Sequence, residues 1–171
     1  HSSDQAASER SLIEEVIDYL SGLDCNLVIY SGNPQMDLEQ DITMLKSAAA
    51  MCHEQGIQLA YHNHYWEFDD GERIMNALIA EPGARWSFCP DIGWVVQGGG
   101  DPVQLLSRVK DRLALVHFKD FAPEGSENDF IELGAGVIPL RDVAAWMREN
   151  LENLWVVAEQ DVAESSPEEA V

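Results

Sequence analysis

A parallel α/β fold is what this sequence predicts, and three observations carry that reading. Short apolar runs of strand length alternate with longer stretches of helical periodicity. Gly, Pro, Asn and Asp punctuate nearly every boundary. Strict alternation of strand and helix favours parallel pairing, because each helix crosses back over the sheet. A closed barrel and a doubly wound sheet both satisfy this pattern. No Gly-x-Gly-x-x-Gly turn follows any of the strands, which weakens the dinucleotide-binding form of the second.

The elements follow in order. Leu12, Ile13, Val16, Ile17 and Leu20 fall on one face of a helix over 8–20, with Ser11 and Glu14 at capping-box spacing and Gly22 as its stop. The run from Cys25 to Tyr30 is a buried strand ended by Ser-Gly-Asn-Pro. Leu38, Ile42, Leu45, Ala49 and Cys52 make the next helical stripe, closed by Gly56 before a strand from Ile57 to His62. A short helix over 72–80 precedes the strand Arg85 to Pro90. Asp101 caps, and Pro102 opens, a helix with the stripe Val103, Leu106 and Val109. A strand from Leu113 to Phe118 leads into a long loop over 120–136. A helix from Pro139 to Asn150 then precedes a last strand from Leu154 to Glu159. The whole of 1–171 reads as one domain.

Composition narrows the partners. Hydrophobic residues make up 46% of the chain, enough for a core, and 31 acidic residues against 10 basic give a formal charge of −21. Such a surface repels phosphate backbones and anionic membranes, so neither is expected as a partner. No apolar run approaches the roughly 18 residues of a membrane span. Cys25, Cys52 and Cys89 are odd in number and have no C-x-x-C spacing. They fit a reduced, cytoplasmic compartment better than a disulfide framework.

The ionisable residues collect where strands end. His62, Asn63, His64 and Glu67 follow one strand, and Asp91 the next. His117, Lys119 and Asp120 end a third, and Glu159 and Asp161 the last. Strand C-termini of a parallel α/β protein share one face, so four distant segments converge there. Two imidazoles and two carboxylates, His62, Asp91, His117 and Glu159, suit one divalent ion acting as a Lewis acid on a carbonyl or on vicinal hydroxyls.

These residues also carry a resemblance. Tyr61-His62-Asn63-His64-Tyr65-Trp66-Glu67-Phe68 resembles the Tyr-His-Asn-His-x-x-Glu-Phe signature of the sugar phosphate isomerase/epimerase family, within the xylose-isomerase-like TIM-barrel superfamily. Asp91-Ile92-Gly93-Trp94, His117-Phe118-Lys119-Asp120, Glu132-Leu133-Gly134-Ala135-Gly136 and Glu159-Gln160-Asp161 are similar to further family motifs, in order. The resemblance implies a (β/α)8 barrel and one divalent ion (Mn, Co, Zn, Fe or Mg) held from four strands. Relatives commonly use Glu, Asp, His and Glu. Asp91, His117 and Glu159 match the last three, and His62 falls near the first.

The implied activity is a sugar isomerase or epimerase working through an enediolate on a small carbohydrate. The alternatives are a lyase of the inosose dehydratase or 3-keto-glycoside type and a non-catalytic sugar-binding module. Glu159 or His64 would take the α-proton, and Lys119 would neutralise the oxyanion or donate a proton. Trp66 and Trp94 would stack on the sugar, and Asn63, Glu67 and Asp161 would contact it, with Glu67 over the pocket mouth. Family barrels have eight strands and this chain shows five, with His1-Ser2-Ser3 similar to the end of the third. The expectation is therefore a partial barrel lacking the first three strands, with an open sheet edge. Assembly with copies of itself is left open.

Overall fold

The computed structural model describes residues 2–124, 126 and 129–161. Strands β1 (Leu27–Ser31), β2 (Gln58–His62) and β3 (Ser87–Cys89) pair in parallel. Two parallel bridges, Phe88 to Leu113 and Asp91 to His117, carry the sheet on to β4 (Leu115–Phe118). Two short strands, β5 (Asp120–Phe121) and β6 (Phe130–Ile131), follow as an antiparallel pair, and β7 (Trp155–Ala158) pairs in parallel with β4. The spatial order β1-β2-β3-β4-β7 follows the chain with no reversal. That is the arrangement of an arc of a (β/α) barrel, and it removes the doubly wound alternative.

The helices are α1 (Ser2–Ser21), α2 (Leu38–Glu54), α3 (Asp69–Ala80), α4 (Ile92–Gln97), α5 (Pro102–Val109) and α6 (Leu140–Asn150). One core lies between α2, α3 and the first three strands, through Leu45, Cys52, Leu59, Met75, Leu78 and Phe88. A second joins α4, α5 and α6 to β4 through Ile92, Leu106, Val116 and Val143. Both arc edges are open: Ile29 on β1 and Trp155, Val156 and Val157 on β7 are exposed. Among the described residues, no helix is long and apolar enough to cross a membrane. The three cysteines are free thiols, with Cys52 and Cys89 buried.

Four expectations change. Ser2 and Ser3 begin α1 and do not end a strand, so Ser11 lies inside the helix and caps nothing. The loop after β4 contains the β5–β6 pair, which amide-to-carboxylate bonds at Asp120 hold in place. The segment after Asp91 forms α4, a helix absent from the elements expected between the third strand and Asp101. Helix α4 can pack against the end of β4 because residue 93 is glycine. A Cβ there would lie 2.8 Å from the Lys119 carbonyl and from the Phe121 ring. Finally, α3 begins at Asp69, and Asp70, Gly71 and Glu72 turn through positive φ within its first turn.

Candidate functional site

His62 is the last residue of β2, and β1 and β3 flank that strand. Its register partner on β1 is Ser31, whose Oγ lies 3.5 Å from His62 Nδ1. That contact leaves Nε2 facing the strand-end carboxylates. Asp91 Oδ2 is 3.5 Å from Nε2 and Glu159 Oε2 is 3.9 Å. His117, in β4, presents Nδ1 directly to Glu159 Oε2. The four donor atoms of His62, Asp91, His117 and Glu159 lie within 4.8 Å of one another. Four strands thus deliver the quartet that the strand-end pattern proposed.

The donor chemistry fits a divalent cation. Asp91 is fully buried, and its Oδ1 caps α4 by accepting from Trp94 N at 3.0 Å. Its Oδ2 accepts no hydrogen bond among the described residues, with His62 Nε2 and the Lys119 ammonium each 3.5 Å away as ion-pair partners. A buried carboxylate oxygen without a donor is costly, and a metal ion would satisfy it. Ser31 orients the His62 ring as outer partners of metal-binding imidazoles commonly do. Sequence reasoning passed over Ser31, although it ends its strand like the other site residues.

The charges around the quartet are strongly coupled. Lys119 is 1% exposed. It donates to Glu159 Oε1 at 2.9 Å and to both oxygens of Asp161 at 3.1 Å. Burial works to lower its pKa, but the bond to Glu159 and the charges of Asp91 and Asp161 outweigh burial and raise it. The bond from His117, joined by Lys119, holds the Glu159 carboxyl well below the usual carboxylate range. With its donors committed to carboxylates, Lys119 has none left for a substrate oxyanion in this arrangement. That departs from the proton-donor role expected of it.

Three more expected residues stand differently. Glu67 is fully buried, so its carboxylate does not stand exposed over a pocket mouth. Its Oε1 accepts from Tyr61 Oη at 2.8 Å and its Oε2 from His64 N at 2.9 Å. Burial raises its pKa, and these two bonds partly offset that. Asn63 is 1% exposed. It accepts from Asp91 N at 3.1 Å and donates to the carbonyls of Asp91 and His64, each at 3.3 Å. Asn63 spends its polar atoms on backbone and Glu67 on one backbone amide and the Tyr61 hydroxyl, so both side chains are engaged inside the protein. Asp161 is exposed but engaged by Lys119.

The remaining site residues form an aromatic wall. The His64 ring stacks on Trp66 with centroids 4.2 Å apart and meets His62 edge-on at 5.0 Å. Trp94 lies against His64, Tyr65, Phe121 and Phe130. The Lys119 ammonium sits 4.9 Å from the Trp94 ring centroid. One face of Trp66 and one of Trp94 are thus already used. Burial, then the neighbouring His62 and Lys119, lowers the His64 pKa, which favours the neutral imidazole. His64 Nδ1 is buried with no hydrogen-bond partner among the described residues.

Comparison with known proteins identifies the fold and the family. An inosose dehydratase from Geobacillus kaustophilus is 30% identical over 146 residues, which covers 72% of this chain and 46% of that protein. The chain spans about half the length of the curated relatives it matches. A sugar phosphate isomerase/epimerase from Parabacteroides distasonis has the same fold, with a TM-score of 0.73 at 18% identity, covering 96% of this chain and 62% of that one. The IolI protein, solved with a bound zinc atom, superposes with a TM-score of 0.67 at 13% identity, over 88% of this chain and 59% of its own. The xylose isomerase-like TIM-barrel model matches residues 1–171, and with five parallel strands in barrel order, the chain belongs to that family.

Proposed function

We propose that this chain carries the cation site and the proton-transfer group of an enzyme that deprotonates the carbon next to the carbonyl of a keto-sugar or keto-polyol. Loss of a neighbouring hydroxyl as water is the preferred outcome. The convergence of His62, Asp91, His117 and Glu159 carries the reading. These residues would hold one divalent ion, Mn, Co, Zn, Fe or Mg. When bound, such an ion supplies Lewis-acid polarisation of a carbonyl and adjacent hydroxyl.

The chain's own groups divide the remaining work. Asp91 Oδ2 and Glu159 Oε2 face the quartet, with Ser31 and Lys119 fixing the orientation of their neighbours. Glu159 has both oxygens engaged, which makes it a ligand more readily than a base. Carboxylates hold His62 and His117, but no carboxylate holds the His64 ring. His64 is therefore assigned to take the α-proton and to return one, beside the quartet and against the aromatic wall. The free face of Trp66 or Trp94 is available to a sugar ring.

Two outcomes share the first step. Reprotonation completes an isomerisation or epimerisation, the activity expected first from sequence. Elimination completes a dehydration. The curated relatives named inosose dehydratase favour elimination, and so does the resemblance, which sets His62 near the position where epimerases carry one of two paired glutamates. Incubation with Mn²⁺ and inososes or keto-sugars in D₂O separates them. A dehydrated, ultraviolet-absorbing product marks the lyase. Deuterium wash-in without water loss marks the isomerase or epimerase. Sugar binding with neither marks a non-catalytic module and sinks the proposal. His64→Ala should abolish exchange while leaving Mn²⁺ bound.

A further inference from the structure

Lys119 occupies the point where three carboxylates meet. Its nitrogen contacts Glu159 Oε1 at 2.9 Å and both Asp161 oxygens at 3.1 Å, and lies 3.5 Å from Asp91 Oδ2. The Trp94 ring flanks it. An ammonium has three hydrogens, and these acceptors account for them. The contacts fall into two groups. Glu159 and Asp91 belong to the quartet of donor atoms, whereas Asp161 stands outside it. On Glu159, Lys119 takes Oε1, and Oε2 is the oxygen turned toward His117 and His62.

We propose that Lys119 is a positioning residue for the cation site, holding Glu159 with only Oε2 presented to the quartet, and that Asp161 is the counter-charge that lets it do so. The inference rests on the reading of the quartet as a cation site. Three carboxylates, Asp91, Glu159 and Asp161, surround the one ammonium of Lys119, an excess of acidic groups that a divalent ion would offset. Without Asp161, the ammonium would pull harder on Glu159 and Asp91 and compete with an incoming ion. Without Lys119, Glu159, at the end of the exposed strand β7, keeps the His117 contact on Oε2 and the more distant His62 ring but loses the bond that holds Oε1 away from the quartet.

The role has a sign that a bystander charge lacks. A positive charge beside a cation site repels the ion, so deleting a mere bystander tightens binding. Deleting a positioning group loosens binding, although the repulsion has gone. Outer-shell partners of metal ligands typically contribute roughly 10–100-fold in affinity.

The test is Mn²⁺ calorimetry on the 171-residue chain for the unaltered protein, Lys119→Met and Asp161→Asn. Circular dichroism melting checks the fold, and Co²⁺ absorption reads the ligand arrangement. The unaltered chain should bind one ion. Lys119→Met should bind it about tenfold more weakly or worse. Its Co²⁺ bands should change in shape as Glu159 becomes free to offer both oxygens. Asp161→Asn should weaken binding by roughly three- to tenfold. If Lys119→Met does not fold, Asp161→Asn decides, since that side chain is exposed and outside the quartet. Equal or tighter binding by Lys119→Met overturns the proposal, as does an Asp161→Asn affinity within about twofold of the unaltered chain. No binding by the unaltered chain overturns the cation-site reading and this role together. Binding that neither substitution weakens overturns the role alone.

Discussion

Strand β2 delivers His62 from the interior of the sheet, whereas β7 delivers Glu159 from an edge. Four of the five β2 residues are buried, and β1 and β3 pair with the strand on both sides. Its end is stitched by Ser31 on the His62 ring, by Asn63 across to Asp91, and by Glu67 back to Tyr61 and His64. All four β7 residues are exposed, and among the described residues the strand pairs with β4 alone. Glu159 is held there by two side chains, His117 and Lys119, and by the bond from its own N–H to the Phe118 carbonyl at 3.0 Å. One half of the site is fixed largely by hydrogen bonds to backbone and by burial, which hold whether or not a cation is bound. The other half is fixed by charges that a cation would rearrange. The β7 side should therefore respond to a metal ion and the β2 side should not.

The largest effect is expected at Asp91, where the two halves meet. Asp91→Ala should lower Mn²⁺ affinity by about 100-fold or more, because it removes a ligand from the buried centre of the quartet. It also removes the cap of α4, at roughly 1 kcal/mol of stability. Asp91→Asn keeps a capping oxygen and should lose affinity with little loss of stability. Calorimetry beside urea denaturation separates the two.

Asp120 is the backbone-directed device of the β4–β7 side. Its carboxylate accepts from the amides of Phe121, Gly134, Gly136 and Ile138 at 2.8 to 3.1 Å. Asp120→Ala leaves those donors without their acceptor. It should cost roughly 3–5 kcal/mol in urea denaturation, with the loss of the β5–β6 pair visible by amide exchange. A cost below about 1 kcal/mol would mean that water replaces the carboxylate easily.

Mn²⁺ itself sharpens the comparison. At 100 times its dissociation constant, an ion that binds only the ordered state contributes about 2.7 kcal/mol. Hydrogen exchange should therefore slow in β7 by up to about 100-fold on adding Mn²⁺, with β2 scarcely changed. Equal slowing in both strands would break the contrast. Chelation should reverse the effect.

Glu67→Gln is expected to do least. The Gln oxygen can accept from His64 N, and its amide can donate to Tyr61 Oη, since a hydroxyl both donates and accepts. Stability near pH 7 should stay within about 1 kcal/mol, with Mn²⁺ affinity unchanged. The pH dependence has a definite sign. Burial raises the Glu67 pKa, so the folded state binds this proton more tightly than the unfolded chain. That proton favours the folded protein as pH falls toward the carboxylate range, and the variant lacks the gain. Comparing urea midpoints at pH 7 and pH 5 checks it. A variant that falls relative to the parent on going to neutral pH would sink the assignment.

Much of the architecture was legible because its signals are local. Apolar runs of four to six residues ended by Ser31-Gly32, His62, Pro90, Phe118 and Glu159 mark the five strands of the arc. Their polar ends, read with the common direction of parallel strands, bring His62, Asp91, His117 and Glu159 together. Helix α4 was hidden because six residues hold too little periodicity to register. The β5–β6 pair was hidden because two-residue strands depend on the distant Asp120 carboxylate and carry no pattern of their own.

The sequence by itself determined which residues reach the strand-end face, because strand direction and the two-residue side-chain alternation are properties of the local chain. Tertiary structure alone decided which polar atoms there remain free. Asn63 is consumed by Asp91, 28 residues on, and Lys119 by Glu159 and Asp161, 40 and 42 residues on. Glu67 turns inward to Tyr61 and leaves the surface. A polar group at a strand end meets its partner only when the neighbouring strands close beside it. Burial then requires that it bond to whatever is nearest, so its role follows from packing that no local pattern encodes.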